Sequence, residues 1–118
     1  MSKEARKGAS FEEDVAGFLA SELGDSIERR TKHGSKDRGD IAGLFFRGGR
    51  VVVECKNHRR MALSEWVEEA EVERGNDDAD YGIVVHKRKG YGARKFGGNY
   101  VTMTLGTFVD MVNGSRGD

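Results

Sequence analysis

The chain has 118 residues, enough for one domain with a single core but too few for two. Charged residues make up 34% of the chain and hydrophobic residues 36%, with 17 glycines and no proline, which indicates a polar surface and turns built from glycine. The formal net charge is zero, no apolar run approaches the roughly 18 residues that span a bilayer, and the N-terminus lacks the apolar segment of a signal peptide, so we expect one cytoplasmic domain, residues 1–118, without a membrane partner.

The first predicted element is a helix that begins at Ser10 and ends at Gly24. Ser10 can cap the free N–H groups together with Glu13, and apolar residues recur at helical spacing over residues 11–23. Glu12 falls inside that apolar arc, where a carboxylate is costly unless a cation or hydrogen bonds receive it. The alternative is that Glu12 only favours the helix N-terminus through the helix dipole.

Two β-rich runs on either side of a glycine turn at residues 47–49 predict a hairpin. With a three-residue loop, Asp40 lies opposite Lys56, and side-chain alternation puts Asp40, Glu54 and Lys56 on one face of the sheet. With a two-residue loop, Asp40 turns to the other face unless a bulge restores it. The hairpin therefore predicts two carboxylates and one ammonium group close together.

A second helix is predicted from Ser64, its cap, to about Arg74, with Trp66 and Ala70 in its buried stripe. A strand over residues 81–86 follows. Strand, helix and strand in this order predict a parallel crossover, so we expect a mixed sheet. The acids of the second helix are expected to face solvent or a partner subunit.

The C-terminal third is basic, whereas residues 61–86 carry eight acids and one base. Residues 87–99 are predicted to form a basic, glycine-rich loop, followed by a strand over residues 100–105 and a short helix over residues 107–112. Such a basic stretch can bind phosphate backbones although the net charge is zero. We expect flexible tails at residues 1–8 and 113–118.

Cys55 is the only cysteine, which excludes an internal disulfide and a four-cysteine zinc site. A zinc site that combines Cys55 with histidines remains open, with His33, His58 and His86 as candidate ligands. The alternative is that Cys55 is a small buried side chain in a β-branched run.

The three polar groups of the hairpin suit phosphodiester cleavage. Mg²⁺ prefers oxygen ligands, which Asp40 and Glu54 can supply together with the backbone carbonyl of Cys55. Lys56 would place an ammonium beside the attacking water or the scissile phosphate. Mn²⁺ is expected to substitute for Mg²⁺.

These residues resemble the PD-(D/E)XK nuclease superfamily, and within it the archaeal-type Holliday junction resolvases and small phage nucleases. The resemblance covers roughly residues 7–86. It implies a single α/β domain with a restriction-endonuclease-like α-β-β-β-α-β core, a mixed sheet flanked by helices, Mg²⁺ or Mn²⁺, and a homodimer that nicks branched DNA. A phage protein of this kind would act in the host cytoplasm. The motifs that carry the resemblance are Lys7 to Glu12, Gly34 and Ser35, Gly39 to Ala42, and Val53 to Lys56.

By this resemblance Asp40 and Glu54 match the metal-binding acids, Lys56 the catalytic lysine, and Glu12 the acid of the first helix, which is also a possible metal ligand. The chain departs from the family at Gly39, where proline is common, and at Glu13, where arginine is frequent. Glu69 stands where related nucleases often carry glutamine. The expected DNA contacts are Arg30, Lys32, Ser35, Lys36, Lys87, Arg88, Lys89, Arg94 and Lys95.

The preferred hypothesis is a metal-dependent endonuclease selective for branched DNA. A second hypothesis within the same fold is a nuclease acting on ends, flaps or specific sites. A third is a non-catalytic nucleic-acid-binding module, which would grip the backbone with residues 87–95 and stack bases on Tyr91 and Phe96.

Overall fold

A computed structural model of the protein describes residues 2–31 and 36–114. Within them six strands form one sheet in the order β1-β2-β4-β5-β6, with β3 paired to β4. Strands β4 and β5 are parallel and the other neighbours antiparallel, so the sheet is mixed, as predicted. The elements are α1 (Lys3–Leu23), β1 (Glu28–Arg29), β2 (Ile41–Ala42), β3 (Phe45–Phe46), β4 (Gly49–Lys56), α2 (Leu63–Asn76), β5 (Tyr81–His86), a 3-10 helix (Ala93–Gly98), β6 (Tyr100–Thr102) and α3 (Leu105–Asn113).

The chain folds as a single α/β domain whose sheet is flanked by helices. Helix α1 packs Phe11 and Val15 against the face of β4 that carries Val53 and Cys55. On the other face, Trp66 and Ala70 of α2 pack against Val84 of β5. Among the described residues, no helix is long and apolar enough to cross a membrane.

Helix α1 begins seven residues earlier than the sequence predicts. Ser2 is its cap, and the Ser2 hydroxyl accepts a hydrogen bond from the Ala5 N–H at 3.1 Å. Ser10 lies inside the helix, so the predicted cap is wrong, and so is the predicted flexible tail over residues 3–8. No proline interrupts residues 3–9, and a lone Gly8 costs a helix only about 1 kcal/mol.

The hairpin between β3 and β4 has a two-residue turn, not the predicted three-residue loop. Phe46 pairs with Gly49, and the two turn residues, Arg47 and Gly48, have φ values of 51° and 83°. Positive φ at both positions is the signature of a type I′ turn, whose twist matches that of a hairpin. The predicted pairing of Asp40 with Lys56 is therefore wrong.

A bulge between β2 and β3 compensates for the shorter turn. Phe45 pairs with Arg50 and Ile41 with Val53, so four residue steps on one strand match three on the other. Gly43 lies in this extra step with φ 88°, and a Cβ there would collide with the Ser26 carbonyl. The extra residue places the Asp40 side chain on the same face of the sheet as Glu54.

Helix α2 begins at Leu63, with Ala62 as its cap position and no side-chain cap, so the predicted role of Ser64 is wrong. Leu63 precedes Ser64 and is already helical, which leaves the serine inside the first turn. The buried positions of Trp66 and Ala70 and the parallel pairing of β4 with β5 are as predicted.

The C-terminal elements differ from the prediction in their bounds. Strand β6 ends at Thr102, and Thr104 caps α3 by accepting from the Thr107 N–H at 2.9 Å. The predicted loop contains a 3-10 helix whose Phe96 packs against Phe11 and Phe18. Residues 115–118 of the predicted flexible tail lie outside the described residues.

Candidate metal and catalytic site

Backbone hydrogen bonds fix Asp40 directly before β2. The Asp40 N–H donates to the Val53 carbonyl at 2.8 Å, and the Asp40 carbonyl accepts from the Arg30 N–H at 2.7 Å. Its Oδ2 accepts from the Cys55 N–H at 2.8 Å, which holds the carboxyl group against β4. Gly39 precedes it with φ 96°, a conformation that proline cannot adopt, so the departure from the family pattern follows from this backbone.

Glu54 lies beside Asp40 and is only 6% exposed. Burial and, after it, the charge of Glu54 raise the pKa of Asp40 to about 8. Burial and, after it, the charge of Glu73 raise the pKa of Glu54 to about 8. The structure therefore brings together the two acids that the sequence singled out, and at neutral pH protons are held among them.

Helix α2 adds two acids that the sequence analysis did not select. One carboxylate oxygen each from Glu54, Glu69 and Glu73 lie within 4.8 Å of one another, and this group could hold a metal ion. Glu73 is 3% exposed, so the expectation that the acids of this helix face solvent or a partner is wrong for it. The missed signal is spacing, since Glu73 lies three residues after Ala70 and seven after Trp66, on the buried stripe.

The Glu54 and Glu73 carboxyls lie against each other and share a hydrogen bond only while one of them is protonated. Burial raises the pKa of Glu73 to about 7. When both are ionised, Oε1 of each is buried without a hydrogen-bond donor. Ionised buried carboxylates without donors are costly, so a bound cation would stabilise this pair strongly.

Lys56 extends from β4 into the same cluster. Its Nζ lies 2.7 Å from Oε2 of Glu69 and 3.2 Å from Oε2 of Glu54. Burial acts to lower the pKa of Lys56, but the hydrogen bonds and charges of Glu69 and Glu54 outweigh burial and raise the pKa above its ordinary value. Lys56 is thus a fixed cation at neutral pH.

Glu12 of α1 forms an ion pair with Arg29, which supplies the cation that a carboxylate on the apolar face of a helix requires. Arg29 Nε lies 3.0 Å from its Oε1, and the Glu12 charge contributes to the raised pKa of Asp40. Because α1 begins at Lys3, Glu12 is more than two turns inside the helix. The alternative that Glu12 only favours the helix N-terminus is therefore wrong.

The described residues place the expected DNA contacts on two surfaces. Arg30 and Lys36 line a cleft of about 330 Å³ with Arg38 and Arg50. Arg30 also pairs with the buried Asp77 at 3.1 Å. Lys87, Arg88 and Lys89 line a groove beyond the end of β4. Arg94 and Lys95 are exposed and lie outside both the cleft and the groove. Lys32 and Ser35 lie outside the described residues.

The described residues do not support the zinc alternative. Cys55 belongs to the core on the α1 face, where burial raises the pKa of its thiol. His86 lies beside Trp66 of α2 and bonds Thr102 Oγ1 through Nε2 at 2.8 Å. No candidate metal group in the described ranges contains Cys55 or a histidine, and His33 lies outside those ranges.

Comparisons with protein-family models, with curated proteins and with solved structures found no match to this chain.

Proposed function

We propose that the protein is a metal-dependent DNA endonuclease of the PD-(D/E)XK type. The observation that carries the proposal is the carboxyl cluster of half-buried Asp40 with buried Glu54 and Glu73, beside Lys56. The three pKa values are raised, and Oε1 of Glu54 and of Glu73 is buried without a hydrogen-bond donor. The chain order α1, β1, β2, β3, β4, α2, β5 supports it, because apart from the two-residue strand β3 it follows the α-β-β-β-α-β order that the resemblance implies.

Mg²⁺ is the proposed cofactor, with Mn²⁺ as a substitute. Asp40, Glu54 and the Cys55 carbonyl remain the proposed ligands, with Glu12 as a further candidate, and α2 adds Glu69 and Glu73, whose carboxylates lie close to that of Glu54. Oxygen-only ligands, with carboxylates among them, fit this hard cation. The metal would supply an activated water and would stabilise charge on the phosphate.

The side chains divide the remaining work. Lys56 keeps its proton at neutral pH, so we assign it the stabilisation of charge on the scissile phosphate and not the role of a base. The Cys55 N–H orients the Asp40 carboxyl. Arg29 holds Glu12 in place, which makes Arg29 a positioning residue.

Branched DNA is the proposed substrate, cut by a homodimer that nicks two strands symmetrically. DNA ends, flaps or specific sites are the alternative, because branch preference depends on how a dimer spaces two sites. Sedimentation at micromolar concentration is expected to give a dimer. A monomer that still cuts would leave only the alternative substrates.

The proposal is tested with labelled four-way junction, linear duplex and single strand, each incubated with Mg²⁺ or with EDTA. We expect cutting with Mg²⁺ only, and we expect Asp40→Asn and Glu54→Gln to abolish it while DNA binding is largely retained. Glu22→Gln, an exposed acid on α1, is the matched control and should cut normally.

A non-catalytic nucleic-acid-binding module remains the second candidate, because the basic groove beyond β4 is independent of the carboxyl cluster. The module would retain DNA without cutting in every lane. Retention without cutting under Mg²⁺ and Mn²⁺ would therefore replace the nuclease proposal with this one.

A further inference from the structure

The basic groove begins where the proposed active site ends. It has a volume of about 610 Å³, and Asn57 and His58, which line it, directly follow Lys56. From the other side, the Lys87 N–H donates to the Lys56 carbonyl at 3.0 Å. A strand whose phosphate lay at Lys56 would therefore continue into this groove.

The lining of the groove is cationic. Among the residues that the structure describes, the lining contains no aspartate or glutamate, and no ion pair neutralises these cations. The Lys87 ammonium donates to the carbonyls of Arg88 and Tyr91 at 2.9 and 2.7 Å, which fixes the loop. An unneutralised row of this kind fits a polyanion. The five cations are Lys7, Arg59, Lys87, Arg88 and Lys89.

Tyr100 is the aromatic residue that the groove offers to a ligand. It is 43% exposed, its ring contacts His86 with centroids 5.5 Å apart, and the Arg88 guanidinium lies 5.2 Å from its ring centroid. The other two aromatic candidates are less exposed. Tyr91 has Arg88 at 3.9 Å over its ring, and Phe96 packs against α1, which leaves less of these two rings for the predicted stacking.

An aromatic ring in a cationic groove favours an unpaired strand over a duplex. Bases inside a duplex are stacked on each other and cannot reach a protein ring unless they leave the stack. Single-strand binding sites combine cations along the backbone with aromatic platforms for the bases. The groove has both features within one surface.

We propose that this groove binds an unpaired stretch of the DNA strand beside the cut, with phosphates on its cations and one base stacked on Tyr100. The proposal rests on the proposed function for the position of the cut. It makes the substrate class a strand that is single-stranded next to the cleaved bond, as at a junction or a flap.

The test is fluorescence anisotropy of a labelled single-stranded oligonucleotide with the full chain in EDTA, where no cutting occurs. Tyr100→Leu should weaken binding about fivefold or more, because it removes the stacking surface, whereas Tyr100→Phe should bind like wild type. Binding to a blunt duplex should be unaffected by Tyr100→Leu. A Tyr100→Leu protein with native circular dichroism that binds the single strand like wild type would overturn the proposal, as would equal losses on both DNAs.

The exposed cations give a second set of variants that leave the core untouched. Arg59→Ala and Lys89→Ala should each weaken binding and reduce its salt dependence. Arg60→Ala is the matched control, since Arg60 is an exposed base next to Arg59 that does not line the groove. Equal losses in all three variants would reject the groove as the binding surface.

These outcomes separate the groove from the proposed function. If the protein cuts DNA and no groove substitution changes binding, the groove proposal is rejected and the nuclease proposal stands. If the groove substitutions weaken binding and the protein never cuts with Mg²⁺ or Mn²⁺, the nuclease proposal is rejected and the groove proposal stands.

Discussion

At the scale of single residues, Lys56 forms ion pairs with both Glu54 and Glu69. We expect Lys56→Met to lower the single-turnover cutting rate at least about 100-fold, because the scissile phosphate loses its fixed cation. Mn²⁺ affinity should be retained, since the carboxyl ligands remain. Rates come from quenched single-turnover assays at saturating metal, and a rate within about twofold of wild type would remove Lys56 from the catalytic group.

Strand alternation made Asp40, Glu54 and Lys56 predictable from the sequence, because a face shared by polar residues in a valine-rich hairpin is uncommon. Glu73 was missed although its spacing put it on the buried stripe of α2. Glu65 and Glu68 of the same helix are exposed, and by composition alone α2 resembles a solvated helix. Glu12 was selected because it falls inside the apolar arc of its helix, and the same criterion applied to α2 identifies Glu73.

At the scale of elements, the hairpin shows why a register cannot be read from a turn alone. Residues 47–49 permit a two- or a three-residue loop, and the prediction of a three-residue loop is wrong, because Phe46 pairs with Gly49. The bulge at Gly43 restores the face of Asp40, and local sequence does not specify it, because Gly43 packs against the Ser26 carbonyl, which is distant in the chain. The strands of the hairpin and the parallel pairing of β4 with β5 were predictable, whereas the register of the hairpin was not.

The bulge carries a direct test in Gly43→Ala. The added methyl group would collide with the Ser26 carbonyl at a positive φ, so we expect more than about 1 kcal/mol loss in the free energy of unfolding, measured in urea, and reduced cutting. Gly48→Ala is the matched control, because Gly48 has a similar φ of 83° but nothing within 4 Å of its Cβ position. Equal losses in both variants would show that backbone strain, and not the contact with Ser26, fixes the bulge.

At the scale of the whole molecule, composition predicted one domain, and the order of elements predicted a mixed sheet. The N-terminal tail was wrongly predicted because its helix depends on Ser2, a cap at the start of the chain. The net charge of zero does not reveal where the charged residues lie in the structure. The fold brings an acidic cluster next to a cationic groove, and the order of residues in the chain shows neither feature.

Stability should fall as pH rises in the metal-free protein. Asp40 and Glu54 have pKa values of about 8 and Glu73 about 7, against about 4 in the unfolded chain. The folded state therefore binds protons that the unfolded chain releases, and stability is lost as pH rises from about 4 to about 8. His86, whose pKa burial lowers, acts in the opposite direction.

We expect the melting temperature in EDTA to fall by at least about 5 °C between pH 5.5 and pH 8.5. Glu54→Gln should show a smaller fall, because it removes one of the three buried protonation sites. Glu22→Gln should follow wild type. An identical pH profile for wild type and Glu54→Gln would mean that Glu54 is ionised normally in the folded protein.

Calorimetric titration of Mn²⁺ into the full-length protein at pH 8 tests most directly whether the carboxyls of Asp40, Glu54 and Glu73 trap a divalent cation. We predict saturable binding, with affinity reduced at least about tenfold in Glu54→Gln and in Glu73→Gln and unchanged in Glu22→Gln. Absence of binding to the wild-type protein, or equal affinity in all four proteins, would contradict the account.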